Sequence, residues 1–450
     1  MVDSAEEPLT SNRDLLDAVL AYLDGESALR ISTTCKAFRD ALVPSEAIWE
    51  GYYEREFAGC NFRFGSPTSW GLRYRIAYQR VHLRHLHWQH PTCVMASQPP
   101  GTRQGAASCV VGVSGGMFVV YGGWTDAGGI RSDLHVLRQH GGDATSGNLW
   151  EWEPVLVTER ENGPRRSTYG PSITAVPAPA RGETAGRESV RLVVHGGVCA
   201  GGYRGAQASL HTIELTATAC AEGEGEGSGH VEAEGEGDVE RLPQLRAKWL
   251  AEGSLDGSPR AYHTATYVPH GPAHTSNGGR VWVFGGFDDA TDDGCIAQLT
   301  AYELATGGWE RPHMAMGGGP CARLGHSTVE MGGKLYISGG CTDSSNMKPG
   351  EGGEELSDVW LLDLRVSHAD LLWQCVSING RAPASALQRC HAAVPLGPRV
   401  LYFGGGRSRS LTNAVCAYDT VHDAWEAAPH TLSGRPPKPR QNAQCALLPG

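Results

Sequence analysis

Four histidines, His82, His85, His87 and His90, fall within nine residues, a spacing that suits metal ligands. No cysteine or acid completes the set, and arginine stands among them, so a cation would meet like charge. Three more histidines, His263, His326 and His391, recur along the chain; His263 and His326 each lie three residues after an arginine, Arg260 and Arg323. A group that recurs in register does the same structural job each time, whereas a catalytic group is rarely needed more than once. Neither a nucleophile triad nor a copper or iron ligand set is present. The thirteen cysteines are scattered, without a C-x-x-C pair, which reads as reduced thiols of a cytoplasmic or nuclear protein rather than a secreted disulfide framework. The expectation is therefore no catalytic residue, no metal and no cofactor.

What these residues stand on is a repeat. Five apolar runs of strand type end in a glycine pair: Gly122–Gly123, Gly196–Gly197, Gly285–Gly286, Gly339–Gly340 and Gly404–Gly405. After each comes a variable polar stretch, then a second apolar run, then a tryptophan: Trp152, Trp249, Trp309, Trp373 and Trp425. An arginine-led or glutamine-led run follows at 11 to 15 residues, beginning at Arg166, Arg260, Arg323, Gln388 and Arg440. Trp88 to Arg103 repeats the interval without a glycine pair before it. Glycine permits positive φ and close backbone approach at a strand end, and each tryptophan offers an outer strand a large apolar plate. The intervals between glycine pairs are 74, 89, 54 and 65 residues, so some connections carry insertions. The longest holds a Gly/Glu tract, about 217–241, which has little apolar area to bury and reads as disordered.

This order resembles the kelch repeat, in which one unit is a four-stranded blade of a β-propeller. The resemblance implies a mainly β chain: a kelch β-propeller over 99–450, with five recognisable blades plus a partial sixth. The unmatched pieces, Trp88 and the run from Arg440, lie at opposite ends of the repeat region, so the closing blade is expected to join them and to hold only two strands.

Residues 1–58 read differently. Leu15, Leu16, Val19, Leu20 and Leu23 fall at helical spacing up to Gly25, a second helical stretch carries Leu29, Ile31, Cys35, Phe38 and Leu42, and a third carries Ile48, Trp49, Tyr52, Tyr53 and Phe57. The string from Asp14 resembles an F-box: a leucine-rich first helix, Leu29 to Arg39 with Cys35-Lys36 and Phe38-Arg39, and a closing Ile48-Trp49. Ser11-Asn12 stands where that motif usually begins Leu-Pro. Residues 59–98 read as a linker.

An F-box ahead of kelch repeats resembles the plant-type F-box/kelch proteins, here without their light-sensing domain. The resemblance implies a substrate-recognition subunit of an SCF-type (Skp–cullin–F-box) E3 ubiquitin ligase. Leu15, Leu16, Val19, Leu20, Ile31, Phe38, Ile48 and Trp49 would dock on the Skp adaptor of the cullin complex. The propeller would hold an unidentified protein substrate through the loops after its glycine pairs, with Trp124, Arg131, Arg204, Asp288, Asp289, Asp292, Asp293, Arg407 and Arg409 as contacts. Two alternatives stand beside it: a kelch scaffold with no ligase link, and an enzyme, since some kelch-type propellers are oxidases or nitrile-specifier lyases. The net charge of −11 falls to −3 without the eight acids of the Gly/Glu tract, so no nucleic-acid partner is expected. No signal peptide and no membrane span is read from the sequence.

Overall fold

In the computed structural model, residues 19–57, 69–81 and 87–447 are described for the most part; the stretches of eight residues or more outside it are 1–18, 58–68, 141–148, 159–167, 179–186, 219–243, 270–277, 343–353 and 377–388. Leu15, Leu16 and nearly all of the Gly/Glu tract thus lie outside the described residues.

Each glycine-pair unit folds into an antiparallel sheet of four consecutive strands. Blade one is Ala107–Val111, Met117–Tyr121, Leu134–His140 and Leu149–Val155. Blade two is Ser172–Pro177, Arg187–His195, Leu210–Thr218 and Gln244–Glu252. Blade three is Thr264–Pro269, Gly279–Phe284, Leu299–Glu303 and Gly308–Glu310. Blade four is Ser327–Met331, Lys334–Ser338, Val359–Asp363 and Trp373–Cys375. Blade five is Ala392–Leu396, Arg399–Phe403, Val415–Asp419 and Ala424–Ala427. The core lies between blades: Val119 and Val136 of blade one share one apolar cluster with Leu192 and Ile213 of blade two.

Among the described residues the sixth position is partial. Elsewhere the segment entering a blade runs parallel to that blade's outermost strand: Val157–Thr158 beside Ala247–Lys248, Met314 beside Leu371. At the sixth position Ser433–Gly434 runs parallel to His87–Trp88, so Trp88 is that blade's outer strand. Ring contacts agree. The residue before a glycine pair meets the next blade's tryptophan at 6.4 Å for Tyr121–Trp249, 5.2 Å for His195–Trp309 and 5.6 Å for Phe284–Trp373; Phe403–Trp88 continues the series at 5.6 Å. The inner position is taken by the segment from Arg440, whose carbonyl accepts from Gly405 N–H at 2.8 Å, as Arg323 accepts from Gly286 at 2.9 Å.

The glycine pairs are needed where they stand. Gly340 has φ +94°, and a Cβ there would lie 2.7 Å from the Leu324 carbonyl oxygen. Gly340→Ala is therefore expected to cost about 1–3 kcal/mol from backbone strain alone, read as a lower urea midpoint.

Among the described residues, four helices with full ranges precede the ring: α1 Gly25–Thr34, α2 Lys36–Leu42, α3 Glu46–Phe57 and α4 Trp70–Arg80. Gly25 opens a helix, and the stretch from Leu29 to Leu42 is two helices rather than one. α4 lies in the segment read from sequence as a linker. Ser69 caps it, accepting from Leu72 N–H at 3.3 Å, and Tyr74 and Ala77 enter the helical core with Leu20, Leu42, Trp49, Tyr52 and Phe57. The helical unit rests on the turn between the first two strands of blade five. Leu396 and Leu447 pack on its core. Arg399 donates to the Val81 carbonyl at 3.4 Å while paired with Asp419 at 3.2 Å, and a methyl on Gly397 would sit 2.7 Å from the Phe57 ring.

Candidate recognition surface

One end of the ring is built by a repeated backbone device. Gly105, Gly170, Tyr262, Gly325, Cys390 and Asn442 occupy equivalent places just before the inner strands, and all six have φ between +54° and +68°. From the second onward, each donates its N–H to the one before: Gly170 to Gly105 O (2.8 Å), Tyr262 to Gly170 (2.9 Å), Gly325 to Tyr262 (3.1 Å), Cys390 to Gly325 (2.8 Å) and Asn442 to Cys390 (2.8 Å). Tyr262 and Cys390 hold the left-handed region without being glycine, a local cost met by packing around them.

The same end carries the loops that follow the glycine pairs, because their first residues bridge to the collar. The bridges are Gln104–Trp124, Tyr169–Val198, Ala261–Phe287, Leu324–Cys341 and Arg389–Gly406. Under them lies an apolar floor. The Tyr169 and Tyr262 rings meet edge to face at 5.4 Å, Phe287 lies 6.4 Å from Tyr262, and Val198, Leu324 and Cys341 complete it. Burial pushes the Cys390 thiol up to about 12, so it is a protonated wall of this floor and not a nucleophile at neutral pH.

Buried arginines fix the loops from below. Arg323 has no exposed side-chain surface; it forks onto Asp358 at 2.7 and 2.8 Å and donates to the Gly339 carbonyl at 3.1 Å. Arg103 repeats this on Asp133 (2.8 and 3.1 Å) and Gly122 O (2.9 Å). Arg260 donates to Gly285 O at 3.3 Å and to the Gln298 side chain at 3.1 Å. Burial works against the Asp133 and Asp358 carboxylates, yet the cationic partners prevail and hold both below the usual range. In blade two the equivalent residue is Thr168, two residues beyond Arg166, whose N–H donates to Arg131 O at 3.0 Å. The Trp-to-Arg count thus points to the wrong residue there.

The recurring histidines lie inside. His263 and His326 are buried; the His263 ring meets Ser172 Oγ at 2.8 Å and His195 Nδ1 at 3.0 Å, and the His326 ring meets Thr264 Oγ1 at 3.0 Å. His87 Nδ1 is 2.8 Å from Ser433 Oγ. Among the described residues no three His, Cys, Asp or Glu side chains are placed to share a metal.

Of the loop residues expected to touch a target, Trp124 is 41 % exposed and Arg131 is exposed on this end in blade one, while Asp288 in blade three is half-buried after Phe287. Arg407 pairs through its backbone with Ser410 in a short hairpin whose second strand ends in Leu411, 45 % exposed. Arg204, Asp289, Asp292, Asp293 and Arg409 lie outside the described residues. The aromatic floor was missed in the sequence; its signal was the tyrosine two residues after Arg260 and the phenylalanine after Gly286.

Comparison with known families matches residues 251–450 to the KLHDC2/KLHL20/DRC7 Kelch-repeats domain. The ring is a β-propeller whose blades three to five match a kelch-repeat domain. Its relatives include Kelch domain-containing protein 3 of Rattus norvegicus, 28% identical over 175 residues, which are 37% of this chain and 41% of that one. Kelch domain-containing protein 1 of Homo sapiens is 24% identical over 197 residues, 38% of this chain and 46% of that protein. Leucine-zipper-like transcriptional regulator 1 of Homo sapiens is 27% identical over 146 residues, 32% of this chain and 16% of that one. The chain therefore spans less than half the length of these relatives. The collar and the loops after the glycine pairs form one face over a buried apolar layer. No helix among the described residues is long and apolar enough to cross a membrane.

Proposed function

We propose that this protein is the substrate-recognition subunit of an SCF-type ubiquitin ligase, acting in the cytoplasm, the nucleus or both. Its helical unit docks on a Skp adaptor, and its kelch face holds a target protein without a chemical step or cofactor of its own. The gain is effective concentration of the target near the loaded ligase.

The observation that carries this reading is the division of apolar residues in the helical unit. Leu20 and Trp49 are interior; Trp49 Nε1 donates to the Leu42 carbonyl at 2.9 Å. They hold the helices together and leave docking to others. Val19 is 38 % exposed, and Ile31, Phe38 and Ile48 are half-buried on the rim of the same core. Such a rim is completed when a partner helix covers it.

The paired variant Ile31→Asp, Phe38→Asp in the full chain is expected to lower Skp adaptor binding at least 100-fold in a co-purification or titration, with the propeller's circular dichroism unchanged. Equal adaptor capture by both chains would remove the ligase role. A kelch scaffold without a ligase link is the second reading, favoured by the seat of Phe57 and Val81 on Gly397 and Arg399. It predicts that the variant leaves target binding and target lifetime unchanged.

A further inference from the structure

Among the described residues three cysteines are exposed: Cys93, Cys321 and Cys375. Two of them converge on the Arg323–Asp358 pair of blade four. Arg323 Nη2 donates to Cys321 Sγ at 3.3 Å and to Asp358 Oδ2 at 2.8 Å, and its Nε donates to the Cys321 carbonyl at 3.1 Å. The arginine side chain has no exposed surface, whereas Cys321 is open to solvent. Reactive cysteines sit in such places, electropositive and accessible. No guanidinium donates to Cys93 among the described residues.

Cys375 reaches the same place from the outer strand. It stands opposite Trp360 in the ladder, and Trp360 Nε1 donates to Asp358 Oδ2 at 2.6 Å. Asp358 and Trp360 thus share one face of the blade, with Cys375 on that face as a cross-strand neighbour. The segment entering blade four covers the same face. Met314 bridges Leu371 in parallel, and a Cβ on Gly319 would lie 2.5 Å from the Trp373 ring. Two residues beyond Gly319 and Trp373 stand Cys321 and Cys375. Burial raises the Cys375 thiol pKa; Asp358 adds to this and Arg323 opposes it.

We propose that Cys321 and Cys375 form a peroxide-sensing dithiol that closes into a disulfide and staples blade four. The thiolate form of Cys321 attacks one oxygen of a hydroperoxide. An S–O bond forms, the O–O bond breaks, and the other oxygen leaves with a solvent proton as water or an alcohol. Cys321 is thereby oxidised by two electrons to a sulfenic acid, and the peroxide is reduced. The Cys375 sulfur then attacks the Cys321 sulfur: the S–S bond forms, the S–O bond breaks, and the departing hydroxide takes the Cys375 proton to leave as water. The bridge joins the segment entering blade four to that blade's outer strand. All that lies between, including the loop after Gly340, is then held in one covalent ring, which constrains the unfolded chain.

The test uses the full chain, hydrogen peroxide and peptide mass mapping without reductant. A peptide linked through Cys321 and Cys375 is expected as the first oxidation product, reversed by dithiothreitol and formed at least tenfold faster than Cys93 is oxidised. In Cys375→Ser, dimedone is expected to trap a sulfenic acid on Cys321. In Cys321→Ser, dimedone labelling of Cys375 is expected to be at least tenfold slower than that. Amide exchange over Val359–Asp363 is expected to slow at least tenfold in the oxidised chain. Overturning results are no linked peptide, Cys93 oxidised as fast as Cys321, Cys375 labelled as fast as Cys321, or exchange in blade four unchanged by oxidation. Mapping and exchange on the unsubstituted chain decide the matter even where a variant does not fold. No readout involves the adaptor, so this proposal and the ligase reading fail separately.

Discussion

Arg323→Ala is expected to lower the free energy of unfolding by about 3–5 kcal/mol, the range for removing one partner of a buried ion pair. The side chain is wholly buried and carries two bonds to Asp358, one to the Gly339 carbonyl and one to the Cys321 carbonyl at 3.1 Å. Burial alone would oppose its charge, but the Asp358 carboxylate outweighs that and raises the guanidinium pKa further. Truncation leaves the Asp358 carboxylate with Trp360 Nε1 at 2.6 Å in place of its charged fork, leaves the Gly339 carbonyl without its Arg323 donor, and opens a void at the root of a loop. Arg323→Lys is expected to recover only part of the loss, since an ammonium cannot fork. Arg440→Ala is the internal contrast: same repeat position, exposed, no carboxylate, and an expected change within about 0.5 kcal/mol. Urea unfolding of the three variants reads this directly; a loss under about 1 kcal/mol for Arg323→Ala would mean the fork adds little beyond packing.

Acid is expected to unfold the propeller well before its carboxylates titrate. Burial lowers the His195 pKa to about 3, helped by Arg260 and His211. Burial also puts His263 and His326 well below their ordinary value, with His195, Arg260 and His326 adding to the first and Arg323 and His391 to the second. These rings stay neutral in the fold, and one nitrogen of each meets no partner. In the unfolded chain they take up protons below about pH 6.5. The unfolded state then binds more protons, so stability rises with pH, is fully present above about pH 6.5 and drains away as pH falls toward the folded values. Each imidazole that stays neutral in the fold contributes at most about 1.4 kcal/mol per pH unit, a slope approached only below about pH 6.5, so stability is expected to fall increasingly steeply toward pH 5. Melting temperatures from pH 8 to 5 check the slope, and His263→Gln is expected to flatten it. A melting temperature level down to pH 5 would contradict this account.

The five blades were legible because their marks are local chemical demands. Positive φ at every one of the paired glycines, with a carbonyl within 3 Å of a would-be Cβ at Gly122, Gly285, Gly286, Gly340 and Gly404, favours glycine, so Gly122 to Gly405 appear as pairs in register. Trp88 and the run from Arg440, left over at opposite ends of the repeat region, pointed to a two-walled closing blade. Arg166 misled because spacing counts residues while the equivalent place belongs to Thr168, which only the Gly123 N–H to Thr168 O bond of 2.8 Å reveals. α4 went unread because Tyr74, Ala77 and Val81 are an apolar stripe broken by arginines, short of the pattern that marks a helix in isolation.

The order of residues alone determined the repeat, the strand ends and the apolar faces of the helices, since each follows from what a neighbour along the chain permits. Tertiary structure decided which apolar residues remain on offer. A stripe says that a face will be covered but not by what, so Leu20 and Trp49 went inside while Ile31 and Phe38 stayed on the rim. It also decided that Arg323 is silent in a buried fork while Arg440, the same residue in the same register, is exposed: which acceptor a guanidinium reaches is set by residues far along the chain, as Asp358 is for Arg323, and not by its sequence neighbours.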